Sequence, residues 1–127
     1  MNFLLDTHAF LWFINGDAQL SEKAKQEIES LSNTNYISIA SFWEVAIKLG
    51  LKKIELGFPY QELKEQAIKN NFVILPLSFD HTHQLTKLPS HHRDPFDRII
   101  ISQAIHERLT VISKDPNFSL YNVQIHW

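Results

Sequence analysis

HHRDPFDRIIISQAIHE, residues 91–107, contains the start of a helix with two carboxylates near its first turn. Asp94 suits the N-cap position, since its side chain can accept hydrogen bonds from the free amides of the first turn, and Pro95 suits the first helical position. Asp97 can reach back to the same region. Apolar residues then recur at helical spacing; they are Ile100, Ile101, Ala104 and Ile105. The stretch predicts a helix and leaves open whether its carboxylates cap the helix or bind a metal ion.

Short apolar runs alternate with longer periodic runs along the rest of the chain. The predicted strands are Asn2 to Leu5, Tyr36 to Ile39, FVILPLS (72–78), Leu109 to Ser113, and an edge strand from Val123 to His126. The other predicted helices are His8 to Ile14, Glu22 to Leu31, a helix capped by Ser41 that ends near Gly50, Pro59 to Lys69, and Phe79 to Leu88. This alternation predicts an α/β fold with a parallel central sheet flanked by helices on both faces.

Composition narrows the class of protein. A chain of 127 residues, 44% of them hydrophobic, is long enough for one domain over residues 1–127 with a substantial core. The absence of cysteine excludes disulfides, thiol nucleophiles and cysteine-ligated zinc. A net charge of −2 argues against a broad basic surface for DNA. The apolar N-terminal run lacks a basic start and is interrupted by Asp6 and His8, so we expect a cytoplasmic protein without a membrane segment.

Acidic residues fall at corresponding places in the predicted strand and helix pattern. Asp6 ends the first strand, and Glu44 lies in the first turn of the helix after the second strand. Asp97 opens the helix before the fourth strand, and Asp115 follows that strand. Each one alone is explained by a turn or a helix cap. Together they are expected at the same edge of a parallel sheet, where such folds bind ligands.

Carboxylates this close to one another require a compensating positive charge. Two of them about 4 Å apart repel by roughly 4 kcal/mol at an effective dielectric constant near 20, and a divalent cation would remove that cost. An all-oxygen ligand set, without cysteine or paired helical histidines, favours Mg²⁺, with Mn²⁺ as a substitute. The pattern therefore predicts a metal site at this edge of the sheet.

Over nearly its whole length the sequence resembles the PIN domain, and within it the VapC-type toxins of prokaryotic toxin–antitoxin systems. The resemblance rests on LLDTHAFLWF (4–13), SIASFWEVAIKLGLKKI (38–54), HRDPFDRIIISQA (92–104) and VISKD (111–115). It implies a single PIN domain that is an Mg²⁺-dependent endoribonuclease, kept inactive by a cognate antitoxin protein. It also implies that the catalytic and metal-binding residues are Asp6, Glu44, Asp97 and Asp115. Asp94 aligns as a cap or an alternative ligand that could exchange roles with Asp97.

The chemistry of such a site needs no protein nucleophile. One or two Mg²⁺ ions can activate water and offset the charge of the pentacoordinate phosphate, which predicts products with a 5′-phosphate and a 3′-hydroxyl. Thr7 is either a hydrogen-bond partner of a ligand carboxylate or the N-cap of the first helix. His8 is assigned to packing or ligand support, and His91 and His92 to a loop.

Several other side chains have predicted roles outside the metal site. Basic residues that could contact RNA phosphates are Lys48, Arg93, Arg98 and Lys114. For Arg98, an ion pair with a ligand carboxylate is the alternative. Aromatic residues assigned to packing or to oligomer contacts are Phe10, Trp12, Phe13, Phe42 and Trp43. Because this apolar surface exceeds the need of one small core, a homodimer is predicted as well.

Three alternatives stay open from the sequence. A receiver-type phosphoacceptor domain has similar length and a lysine comparable to Lys114, but FVILPLS ends without the aspartate that such a fold requires. A PIN domain that binds RNA or a partner without cutting would show the loss of a ligand residue, and none is lost. The carboxylates alone also fit a phosphatase for small molecules, so the choice of RNA depends on the resemblance.

Overall fold

A computed structural model describes residues 1–127, and it has an α/β architecture. The strands are β1 (Asn2–Leu5), β2 (Thr34–Ser38), β3 (Phe72–Leu75), β4 (Thr110–Ile112) and β5 (Ile125–His126). The α-helices are α1 (Thr7–Asn15), α2 (Glu22–Glu29), α3 (Ile39–Gly50), α4 (Leu63–Lys69), α5 (Phe79–Thr86) and α6 (Pro95–Glu107). Two 3-10 turns span Tyr60–Glu62 and Pro116–Leu120.

All strand pairings are parallel, and the order across the sheet is β3-β2-β1-β4-β5. The central strand β1 has successive buried apolar side chains, which suits a strand covered on both faces. Phe3 and Leu5 belong to one core cluster and Leu4 to the other, because side chains alternate between the two faces of a strand. The predicted parallel sheet with helices on both faces is thus confirmed.

The register of the sheet aligns the carboxyl ends of its middle strands. Leu5 of β1 lies opposite Ile37 of β2 and Ile112 of β4. The residues that follow these strands therefore come out at one edge: Asp6 after β1, the start of α3 after β2, and Ser113 after β4.

Two predicted helix starts are wrong in detail. Helix α3 begins at Ile39 with Ser38 as its N-cap, because the Ser38 hydroxyl accepts from the Ala40 amide and the chain turns from strand into helix without a loop. Ser41 therefore lies inside the helix and its side chain is free for other contacts. The helix predicted from Pro59 begins as the 3-10 turn Tyr60–Glu62 and becomes α-helical at Leu63.

The receiver-domain alternative does not survive the strand order. A receiver sheet has the order 2-1-3-4-5, in which the third strand is central. Here β3 is an edge strand paired only with β2. As for membranes, none of the helices combines the length and the apolar character needed to cross one.

Candidate active site

Asp6 is a buried carboxylate with a partner on each oxygen. One oxygen accepts a hydrogen bond from the Ala9 amide at 2.7 Å, so Asp6 is the N-cap of α1. The other accepts from the Ser113 hydroxyl, which follows β4, at 2.5 Å. Burial raises the pKa of Asp6 above its ordinary value, although these two hydrogen bonds oppose the shift. Asp6 is therefore held in place by two neighbouring elements of the sheet edge.

Thr7 supports the carboxylate of Glu44. Capping α1 was the alternative role for Thr7, but Asp6 is the N-cap of that helix. The Thr7 hydroxyl lies 2.6 Å from Glu44 Oε1 and 2.9 Å from the Ser41 hydroxyl. A hydroxyl has one proton, so Thr7 donates to the carboxylate and accepts from Ser41. The carboxylate of Glu44, a residue only 2% exposed, thus receives a bond from an element far away in sequence.

Lys48 occupies the other oxygen of Glu44. Its ammonium nitrogen lies 2.5 Å from Glu44 Oε2, one helical turn further along α3. Lys48 was predicted to contact RNA phosphate; the structure shows it in an ion pair with Glu44, and the phosphate contact stays a prediction. Both oxygens of Glu44 are therefore engaged with protein groups.

Asp94 and Asp97 have different environments at the start of α6. One oxygen of Asp94 accepts from the amides of Phe96 and Asp97, at 2.9 and 3.0 Å, so Asp94 is the N-cap. Pro95 occupies the first position of the helix. Because Asp94 satisfies these amides, the side chain of Asp97 is not needed for capping. Of the two roles considered for Asp94, the structure shows the cap; its role as an alternative ligand and the ligand role of Asp97 stay predictions.

The pKa of Asp97, like that of Asp6, is raised above its ordinary value. Burial is the largest cause that raises its pKa to about 8. Nearby negative charges add to the shift; they belong to Asp94, Asp115, Glu44 and Asp6. The fold therefore brings the predicted acidic residues within electrostatic reach of one another. In this arrangement, however, no set of three or more His, Asp or Glu side chains lies close enough together to hold one metal ion.

A hydrogen-bond chain from Tyr121 leads to Asp97 through His92. The Tyr121 hydroxyl accepts from the His92 amide at 3.1 Å and from the Arg98 guanidinium at 3.0 Å. Its own proton therefore goes to His92 Nδ1, 2.7 Å away. This leaves the ring proton of His92 on Nε2, which lies 3.4 Å from Asp97 Oδ2. His92, assigned from sequence to a loop, is thus oriented towards a candidate ligand.

Arg98 stabilises the segment that carries His92. Its guanidinium donates to the carbonyl oxygen of Pro89 at 2.7 Å as well as to Tyr121. The ion pair with a ligand carboxylate that was its alternative is not formed. Its contact with RNA stays a prediction, as does that of the exposed Arg93.

A surface cleft of about 280 Å³ opens beside these carboxylates. Its lining includes Asp6 and Asp115 together with His8, Trp12, Lys114 and Pro116. Asp115 caps the 3-10 turn Pro116–Leu120 by accepting from the Asn117 amide at 2.9 Å. The ammonium nitrogen of Lys114 lies 5.9 Å from the centre of the Trp12 ring. The cleft thus combines acidic groups, a cation and an aromatic ring at the carboxyl edge of the sheet.

Sequence reasoning missed three residues that support the acidic groups: Ser41, Ser113 and Tyr121. Ser113 could have been noticed, since it follows β4 directly as Asp6 follows β1, and these strands are neighbours. Nothing in the sequence indicates that Tyr121 would approach His92, because the contact depends on the path of the chain after β4.

Comparison with solved structures shows the same fold in chains of distant sequence. VapBC2 from Rickettsia felis, bound to a DNA fragment from its promoter, matches with a TM-score of 0.72 and 19% identity, over 99% of this chain and 98% of that one. FitAcB from Neisseria gonorrhoeae matches with a TM-score of 0.70 and 22% identity, over 98% and 96%. A toxin–antitoxin complex from Klebsiella pneumoniae gives 0.66 and 23%, over 98% and 95%.

At the level of sequence, no curated protein matches this chain significantly. The family model of the PIN domain, in contrast, matches residues 3–123. That match includes β1 from Phe3 onwards, the whole of β2, β3 and β4, and every acidic residue of the site. The chain belongs to the PIN domain family.

Proposed function

We propose that this chain is a metal-dependent endoribonuclease and the toxin of a toxin–antitoxin pair. PIN domains are typically nucleases, and the matched structures of similar fold are toxin–antitoxin complexes. The observation that carries the proposal is the gathering of Asp6, Glu44, Asp97 and Asp115 at the carboxyl edge of the sheet, where Asp6, Glu44 and Asp115 are near enough to Asp97 to help raise its pKa. A site of this kind favours a divalent cation and the phosphate that comes with it.

The donor chemistry of the site fits Mg²⁺ or Mn²⁺. The proposed ligands are the carboxylates of Asp6, Glu44, Asp97 and Asp115, all of them hard oxygen donors. Two of these carboxylates also have protein partners: Asp6 accepts from Ser113, and Glu44 accepts from Thr7 and Lys48. When bound, Mg²⁺ supplies a Lewis acid that activates water and offsets charge at the phosphate.

The chain's own residues orient the carboxylates and bind the substrate. Ser113 and the start of α1 hold Asp6, and Thr7 holds Glu44. His92 donates from Nε2 towards Asp97, which leaves the other oxygen of that carboxylate available. Such supporting hydrogen bonds commonly orient metal ligands. Lys114 lines the acidic cleft, and its proposed role is to bind an RNA phosphate.

The antitoxin and the homodimer belong to the same proposal. An apolar groove of about 440 Å³ is lined by Ile39, Phe42, Tyr60, Gln61, Lys64 and Ile74. On α3, Trp43 is 62% exposed and Ile47 is exposed as well, and so is Leu51 directly after the helix. Trp43 was assigned to packing or oligomer contacts, and its exposure favours the second role. Apolar surface of this kind favours protein partners, for which an antitoxin and a second copy of the chain are the proposed candidates.

Purified protein incubated with mixed RNA tests the enzymatic proposal. Cleavage should require Mg²⁺ or Mn²⁺, stop in chelator and yield ends with a 5′-phosphate and a 3′-hydroxyl. Asp6→Asn should abolish cleavage while circular dichroism stays unchanged. Cyclic phosphate ends would contradict attack by water. RNA binding without any cleavage would favour the catalytically silent PIN domain instead.

Growth of bacteria tests the toxin proposal. Expression of the chain alone should arrest growth, and expression of the Asp6→Asn form should not. Co-expression of the gene beside it should restore growth and give a stable complex. Arrest that persists in the Asp6→Asn form would point to toxicity without catalysis and would contradict the proposal.

A further inference from the structure

Lys48 is the only ammonium group that forms an ion pair with one of the four proposed ligands. Asp6 and Asp97 have a hydroxyl and a histidine ring as their nearest polar side-chain partners. Asp115 accepts from a backbone amide. The negative charge of the site is therefore compensated by a fixed cation at Glu44 and nowhere else among these residues.

The Glu44 carboxylate has no free oxygen while Lys48 is in place. Thr7 donates to Oε1, and Lys48 donates to Oε2. A divalent cation bound to Oε2 would lie close to the Lys48 ammonium group, which contacts the same atom. Two cations in contact with one oxygen repel strongly in a partly buried site. The two positive groups therefore compete for that oxygen, because their charges repel.

The two partners of the ion pair differ in their freedom to move. The Glu44 side chain is 3% exposed and tied to α1 through Thr7, whereas the Lys48 side chain is 25% exposed. A lysine side chain has a flexible stem of four carbons and a strongly hydrated ammonium group. It can therefore turn towards solvent without a change in the backbone. Of the two partners, Lys48 is therefore the one that a competing cation can displace.

We infer that Lys48 is a built-in counterion of Glu44, which a divalent cation must displace to reach that ligand. The inference rests on the proposed metal-dependent function and adds a positioning residue to it. In the metal-free protein, Lys48 neutralises a buried carboxylate and keeps its orientation. A bound divalent cation would take over that role, and the partly exposed Lys48 side chain would turn its ammonium group to solvent.

Metal binding to the intact chain tests this directly. Lys48→Met removes the competing charge with little change in side-chain length. Isothermal titration with Mn²⁺ at pH 7 should give a dissociation constant about tenfold lower than that of the wild type, a fold-change that corresponds to about 1.4 kcal/mol. Lys48→Arg, which keeps the cation, should bind Mn²⁺ like the wild type.

Lys114→Met is the matched control for the general field of the site. It removes the same charge beside Asp6 and Asp115, but Lys114 makes no hydrogen bond to a carboxylate. Its dissociation constant should change by less than about threefold, because a charge that is not paired acts only through a screened field. An equal gain of affinity in both methionine variants would overturn the inference.

Thermal unfolding provides a readout that is independent of catalysis. Without metal, Lys48→Met should unfold at a lower temperature than the wild type, since Glu44 loses its counterion, and saturating Mn²⁺ should close most of that gap. Unchanged or weaker Mn²⁺ binding by Lys48→Met would show that Lys48 does not compete with the metal and would overturn the inference alone. If neither the wild type nor any variant binds Mn²⁺, the metal-dependent function fails, and the inference fails with it.

Discussion

Replacing Asp97 by Asn should stabilise the metal-free protein at pH 8 and have little effect near pH 4. The pKa of Asp97 is raised from 3.8 to about 8, so the folded state keeps a proton that the unfolded chain has lost. A group whose folded pKa is raised contributes stability below its unfolded pKa and loses it as the pH rises through the folded pKa. The wild type should therefore lose more stability than Asp97→Asn between about pH 4 and pH 8, because the variant lacks this titrating group while Asp6, whose pKa is also raised, is present in both proteins.

The magnitude follows from the shift and from the exposure of the side chain. Each unit of pKa shift corresponds to about 1.4 kcal/mol, so the full shift sets an upper bound. The Asp97 side chain is 18% exposed and the neighbouring carboxylates titrate together with it, which reduces the realised effect. We expect Asp97→Asn to be more stable than the wild type by about 1 to 3 kcal/mol at pH 8.

Urea unfolding in chelator at pH 4, 5, 6, 7 and 8 measures this difference. Asp80→Asn is a matched control for the chemical change from aspartate to asparagine, since Asp80 is exposed in the first turn of α5. Saturating Mn²⁺ should reverse the order at pH 8, because the metal stabilises the wild type and the variant lacks a ligand. A stability difference that is constant across the pH range, or a loss of stability in Asp97→Asn at pH 8, would refute the reasoning.

Other substitutions separate capping, ligand support and orientation. Asp94→Asn should keep the fold and RNA cleavage, because asparagine caps nearly as well as aspartate. Asp94→Ala, which removes the cap, should lower the free energy of unfolding in urea by about 1 kcal/mol. A folded but inactive Asp94→Asn would assign the ligand role to Asp94. Ser113→Ala should destabilise the metal-free protein by about 1 to 3 kcal/mol at pH 7, since Asp6 loses its hydroxyl donor; unchanged urea unfolding would contradict that role. Tyr121→Phe should weaken Mn²⁺ binding about tenfold in titration calorimetry, because His92 loses the group that sets its tautomer; equal affinity would show that His92 does not orient a ligand.

Local chemistry was enough to predict the elements of this chain. The Asp94-Pro95 start of α6 can be recognised from two neighbouring residues, because a capping carboxylate and a preset backbone angle act within one turn. The alternation of apolar runs indicated a parallel sheet, which in turn indicated that Asp6, Glu44, Asp97 and Asp115 would gather at one edge. The starts of α3 and α4 were predicted less well, since Ser38 and Ser41 are both capable N-caps and the sequence does not choose between them.

The tertiary structure decided which partner each carboxylate has. From the sequence, Thr7 could cap α1 or support a ligand. In the structure Asp6 caps the helix, and Thr7 donates to Glu44, which is 37 residues away. Ser113 reaches Asp6 across a separation of 107 residues because β1 and β4 are neighbours in register. The pKa of Asp97 likewise depends on burial and on charges from other elements. Hydrogen bonds and Coulomb energies depend on distance in space, and only the packed fold sets the distances between groups that are far apart in sequence.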